Sequence, residues 1–262
     1  AVILYGDLDI STIYTKPVGR LPIKNAVITA KDRKKAYRHI ELEIEKGHQA
    51  YIICPMVEES ENIEAENVLE YAKKIEDEFS QNCKIQVLHG RMHPREKDDI
   101  MFRYLNGEID ILVSTTVIEV GVDVPNATVI MVENAERFGL ATLHQLRGRV
   151  GRSGFQSYAV FVRTSESKVA KKRLDIIGNS NDGFYIASQD LALRGPGELF
   201  GLAQSGEPDL GIGDILNDGD IFEMSREAIE LIQKSEITQS DKKRLENKIN
   251  NYMNIHYKKL SL

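Results

Sequence analysis

Strand-like and helix-like segments alternate along residues 21–163, and no other feature of this 262-residue chain narrows its fold so far. Ala26-Val27-Ile28-Thr29 reads as a strand. Asp32 is placed to cap a helix with Ala36, Tyr37, Ile40 and Ile44 on one face, and Gly47 falls just past its end. Ala50-Tyr51-Ile52-Ile53-Cys54 is an unbroken apolar run, the pattern of a strand buried on both faces of a parallel sheet. Val68, Ala72, Ile75 and Phe79 recur at amphipathic-helix spacing. Residues 84–88 read as a strand, Pro94 sits where a helix's first turn accepts proline, and Gly107 ends that helix. Three more strands follow at 109–114, 128–132 and 158–162, with a helix near 140–148 between the last two. Such alternation predicts an α/β fold, a parallel sheet with helices on both faces and ligands at the loops beyond the strands' C-terminal ends.

The flanks differ. Residues 1–20 hold a short apolar run and then Lys16-Pro17-Val18-Gly19-Arg20, which reads as a linker. After residue 168 basic residues lead into Gly178-Asn179-Ser180-Asn181-Asp182-Gly183. Residues 191–214, LALRGPGELFGLAQSGEPDLGIGD, are too broken for helix or strand. The end is helical again, with Met224, Ala228, Leu231 and Ile232 on one face and Leu245, Ile249, Met253 and Leu260 on another. The expected organisation is therefore the end of a preceding segment and a linker over 1–20, an α/β domain over 21–168 and a mostly helical segment over 169–262.

With 42% apolar and 28% charged residues, the composition excludes collagen-like, low-complexity and largely disordered chains. No apolar run nears the ~20 residues that span a bilayer. The first residues lack the basic region and small-residue cleavage site of a signal peptide, and the start without Met reads as a piece of a longer polypeptide. Cys54 and Cys83 form neither a disulfide framework nor a zinc pattern; reduced core cysteines in the cytoplasm are the expectation. Net charge is 34 minus 40, or −6, which argues against nucleic acid. Its distribution argues the other way. From Arg137 to Arg173 nine Lys or Arg face one acid, Glu166.

That basic stretch contains Leu143-His144-Gln145-Leu146-Arg147-Gly148-Arg149-Val150-Gly151-Arg152. Three arginines around two glycines, leaving a helix, let backbone and planar guanidinium forks approach an anion together. Gln145, Gly148, Arg149 and Arg152 match QxxGRxxR, and the segment resembles motif VI of superfamily 2 helicases. Residues 114–125, STTVIEVGVDVP, resemble motif V; Leu88-His89-Gly90 resembles the family's short HG motif, and residues 51–55 resemble motif IV. The resemblance implies a RecA-like fold, here the second of two lobes that bind ATP in the cleft between them. It implies that Arg149 and Arg152 are catalytic, stabilising charge on the transferring γ-phosphate, and that Gln145, Gly121 and Asp123 bind ATP. It assigns DNA phosphates to His89, Gly90, Thr115 and Thr116.

Residues 182–206, DGFYIASQDLALRGPGELFGLAQSG, resemble the translocation motif shared by the RecG family and the transcription-repair coupling factors. The RGPGE form and the opening Leu4-Tyr5-Gly6-Asp7-Leu8-Asp9, similar to the end of the first lobe, favour the RecG family of branched-DNA helicases. By that resemblance Arg194, Gly195, Gly197 and Gln204 couple ATP-driven movement to duplex DNA. Family members usually carry a basic residue just before QSG, where this chain has Ala203, so a DNA contact at that point is missing. The chain contains no GxxxxGK[ST] and no DExH or DExD box. It thus holds half of an ATPase, with ATP and Mg2+ bound mainly by a first lobe of the same polypeptide. Stalled forks or Holliday junctions are the implied substrate, and single-strand-binding protein is a further implied partner. No membrane partner and no metal site are expected, His89 and His144 having no second ligand at metal spacing. A coupling-factor translocase and a non-catalytic nucleic-acid-binding module are the rival readings.

Overall fold

The computed structural model describes residues 19–55, 61–115, 123–194, 219–234 and 238–256. They divide between a unit from Thr15 to Asp190 and a second that takes in the residues from Leu191 onward. The first unit is built on six strands, β1 (Lys24–Thr29), β2 (Gln49–Ile53), β3 (Ile85–Leu88), β4 (Ile111–Ser114), β5 (Ala127–Val132) and β6 (Tyr158–Arg163). All pair in parallel, in the order β1-β6-β5-β2-β4-β3. Helices α1 (Arg33–Glu45), α2 (Glu61–Glu76), α3 (Pro94–Leu105), α4 (Leu140–Arg147), α5 (Lys168–Asn179) and α6 (Gly183–Arg194) accompany it.

The helices lie on both faces, as the unbroken apolar strands require. Tyr37 and Ile40 of α1 and Val68, Ala72 and Ile75 of α2 cover one face, together with Ala50, Ile52, Ile111, Val113, Val129, Met131 and Val160 of the strands. The other face presents Tyr51, whose ring meets Tyr104 of α3 edge-on at 5.1 Å. Gln49, buried where β2 begins, is satisfied by the carbonyls of Tyr104 (2.6 Å) and Ile109 (2.7 Å). That pair of bonds explains how an amide is tolerated inside the core.

The local signals resolve in detail. Gly47 follows α1 at a φ of 86°, a left-handed conformation that a side chain would strain. Pro94 occupies the first turn of α3. Asp32 stands at the N-terminus of α1 without bonding its amides: its carboxylate instead accepts from the Thr29 hydroxyl (3.0 Å) and Lys35 Nζ (2.8 Å), across a 3-10 turn at Ala30–Asp32. Helix α2 stops at Glu76, three residues before Phe79, which the turn beyond still buries in the core.

Of the next two helices, one falls in the segment expected to be mostly helical and the other extends past its expectation. Residues 168–179 form α5, with Ala170, Leu174, Ile176 and Ile177 buried and the lysines outward, and it packs on β1 and β6. Helix α6 runs to Arg194, four residues into the segment expected to be neither helix nor strand. Asp182 starts it, its Oδ1 accepting the amides of Phe184 (2.9 Å) and Tyr185 (3.3 Å). In the second unit α7 (Gly219–Lys234) and α8 (Gln239–His256) form where the terminal periodicity places helices. Met224, Leu231, Leu245 and Ile249 of their apolar positions are exposed. Among the described residues no helix is long and apolar enough to cross a membrane.

Candidate nucleotide and nucleic-acid site

Strand register sets one group of candidates. Leu88 pairs with Ser114 across β3 and β4, so His89 and Thr115 leave the C-terminal edge of the sheet side by side. Both carry a buried polar atom with no hydrogen-bond partner among the described residues, Nδ1 of His89 and Oγ1 of Thr115. Burial holds the His89 imidazole below its usual pKa, the Glu96 carboxylate opposing and Arg91 and Lys97 assisting. Each thus keeps hydrogen-bonding capacity that no described residue uses. The Gly90 carbonyl accepts from Lys97 Nζ at 2.7 Å, which ties the HG turn to α3.

The second group lies elsewhere. Asp123 precedes β5, and the turn over 148–152 leads into β6, so these residues enter strands rather than leave them. Only the first group therefore sits where the general rule for open parallel sheets expects ligands. The turn is built stepwise from the end of α4: Gly148 N–H donates to His144 O (3.1 Å), Arg149 N–H to Leu146 O (2.9 Å) and Val150 N–H to Arg147 O (3.3 Å). Gly151 then adopts a φ of 75°, and a Cβ there would meet Ile23 Cγ1 at 2.9 Å, so glycine is needed twice over.

Arg152 folds back over this turn. Its Nε donates to Gly148 O at 2.9 Å and its Nη1 lies 3.4 Å from Asp123 Oδ1, joining the motif V and motif VI segments. With the Asp123 side chain half-exposed, the pair contributes little to stability; its interest is positional. Arg149 belongs to the same neighbourhood. Burial pushes the Tyr51 phenol far above its usual pKa, while the charges of Arg149 and Arg152 pull it down and that of Asp123 pushes it up. Two guanidiniums and one carboxylate thus act on one buried ring. Gln145 is on α4, exposed, one turn before the arginines.

Thr116, Gly121, Gly195, Gly197 and Gln204 lie outside the described residues. Arg194 is the last residue of α6, and its side chain lies outside them too. Among the described residues no three His, Cys, Asp or Glu side chains cluster so as to hold a metal ion.

Two features escaped the sequence reading. Arg147, counted among the exposed forks, is 2% exposed. Glu133, buried just past β5, accepts both Nε (2.9 Å) and Nη2 (2.7 Å) of Arg33 and the Tyr71 hydroxyl (2.9 Å). An acid closing the apolar run Thr128-Val129-Ile130-Met131-Val132-Glu133 was the available signal.

A six-stranded parallel sheet with this motif VI turn defines the second RecA-like lobe of a superfamily 2 helicase. Residues 32–154 match the helicase conserved C-terminal domain, and residues 180–255 match the C-terminal part of domain 3 of the ATP-dependent DNA helicase RecG. The chain belongs to the RecG family, as its C-terminal helicase region. It is 48% identical over 230 residues to the ATP-dependent DNA helicase RecG of Synechocystis, covering 88% of this chain and 28% of that protein. The Streptococcus pneumoniae RecG is 44% identical over 241 residues, 92% of this chain and 36% of that one. A solved structure of RecG bound to a three-way DNA junction superposes with a TM-score of 0.66 at 39% identity, over 84% of this chain and 28% of that chain. The chain thus spans about a third of the length of these relatives.

Proposed function

We propose that the chain is the C-terminal part of an ATP-dependent helicase that works on branched DNA in recombination and repair, in the cytoplasm. Its full-length parent would add a first RecA-like lobe with the phosphate-cradling loop and the Mg2+ ligands. ATP would bind between the lobes, contacted from this side by Gln145, Gly121 and Asp123. Arg149 and Arg152 would meet the γ-phosphate as charge spreads over the transferring group. His89, Gly90, Thr115 and Thr116 would hold DNA phosphates, which positions a strand without reading its sequence. Arg194, Gly195, Gly197 and Gln204 would pass the lobe movement to duplex DNA, and single-strand-binding protein is a further partner of the parent. The division into the end of a first RecA-like lobe and a linker over 1–20, a second lobe over 21–168 and a translocation motif with C-terminal helices over 169–262 belongs to the same reading.

The observation that carries this reading is the contact between Arg152 and Asp123, which brings the two motif segments together. Fork-stimulated ATP hydrolysis by the full-length parent, native against Arg152→Ala, is the test. Turnover is expected to fall ~10³-fold, the lower end of what an arginine finger contributes, with fork binding retained. Unchanged turnover removes Arg152 from the γ-phosphate shell and sinks the assignment.

A further inference from the structure

We infer that Arg147 is a positioning residue for ATP hydrolysis: its buried guanidinium ties the end of α4 to the end of α5 and so fixes the turn that carries Arg149 and Arg152. This rests on the reading of that turn as a nucleotide site. Arg147 Nη1 donates to the carbonyls of Ile177 (3.1 Å) and Ser180 (2.5 Å), and Nη2 lies 2.8 Å from His144 Nδ1. A guanidinium only donates, so His144 Nδ1 is the acceptor. No carboxylate pairs with Arg147 among the described residues. Burial accordingly lowers its pKa to about 10.

A buried cation without an anion is costly to keep. It is tolerated here because its acceptors are the carbonyls at the C-terminus of α5, where unpaired C=O groups and the helix dipole both favour positive charge. The anchor is itself fixed to the sheet: a Cβ on Gly178 of α5 would meet Val27 Cγ2 of β1 at 2.8 Å. His144 is fixed as well, since a Cβ on Gly183 would meet its Nε2 at 2.9 Å. The arginine turn starts at the residue after Arg147, so its distance from β1 is set through the two hydrogen bonds that cross to the end of α5, while the bond to His144 holds the guanidinium against its own helix.

Packing alone does not hold the turn. A cavity of about 250 Å³ adjoins it, lined by Arg20, His144, Arg147, Gly148, Gly151 and Asn181. Without the guanidinium bonds the backbone at Gly148 has room to shift, and a displacement near 1 Å of a reacting group costs ~10²-fold in rate. The side chain therefore acts on ATP through Arg149 and Arg152, and touches no reacting atom itself.

The experiment compares Arg147→Lys and Arg147→Met in the full-length parent with native protein and Arg152→Ala. Turnover on a synthetic fork, KM for ATP, fork affinity, Tm and affinities for ADP and for ADP with aluminium fluoride are read together. Lysine keeps the charge but cannot reach two carbonyls and an imidazole at once. For Arg147→Lys, kcat and the affinity for ADP with aluminium fluoride are expected to fall roughly 10- to 100-fold, with ADP affinity, KM and fork affinity within about twofold. Normal kcat in either folded variant overturns the inference. So does a parallel loss of ADP affinity, fork affinity and Tm, or failure of both variants to fold, because the role is then merely structural. Arg152→Ala separates the layers: if it turns over normally, the reading of the whole turn fails, whereas its collapse beside normal Arg147 variants defeats the positioning role alone.

Discussion

Thr115 keeps a buried hydroxyl with no partner among the described residues, an arrangement that costs a folded protein free energy. Thr115→Val has nearly the same shape and removes the orphan, so the parent protein is expected to gain ~1 kcal/mol of stability. On the proposed role the same change also removes a bond to DNA phosphate, and fork affinity should then drop about tenfold, as expected for a hydrogen bond to a charged group. Urea unfolding and fork binding measured on one preparation check the two signs; a loss in both would make the hydroxyl structural. At this scale the sequence is most legible where chemistry depends on spacing. Gln145, Gly148, Arg149 and Arg152 are readable because an anion site needs fixed intervals along a helix end and turn. The burial of the Arg147 side chain and of His89 Nδ1 is not, because it comes from elements distant in sequence: α5 closes over Arg147, and β4 runs beside the strand that leads to His89.

Each element is only as well placed as its polar ends. Glu133 shows this at the C-terminal edge of β5, where one carboxylate gathers Arg33 of α1 and Tyr71 of α2, and the Tyr71 hydroxyl lies 2.9 Å from that of Tyr37. Glu133→Ala leaves Arg33 without its fork partner and Tyr71 without its acceptor. Removing one member of a buried pair costs ~3–5 kcal/mol, discounted here to about 2–3 because the Arg33 side chain is 30% exposed and recovers water. A lower apparent Tm of the parent checks this. Glu133→Gln, which keeps an acceptor for Tyr71, should lose less; equal losses would mean that the cluster is held by packing.

The six strands were legible because each is a short apolar run bounded by turn residues, and period and length then decide the type. The exact span of helix α5 was less so, since Gly178 interrupts its pattern. That glycine is inside the helix because β1 leaves no room for a side chain. The last turn of α6 was hidden for a similar reason: LALR shares its neighbourhood with the glycines that follow, and composition averaged over 191–214 masks four helical residues.

Taken whole, on the proposed reading the molecule carries one side of a reaction centre. Its arginines and Asp123 converge at one turn, but no GxxxxGK[ST] exists in its 262 residues to cradle the β- and γ-phosphates, and the described residues gather no three-ligand metal cluster. Stabilising developing charge accelerates a reaction only when the reacting groups are already held in line. The purified chain is therefore expected to release phosphate from ATP no faster than buffer, with or without fork DNA, while the full-length parent responds to the fork. Phosphate release by the chain alone, titrated with fork DNA, is decisive. Fork-stimulated turnover would mean that a complete nucleotide site exists on this side of the cleft, and the two-lobe division of labour would have to be abandoned.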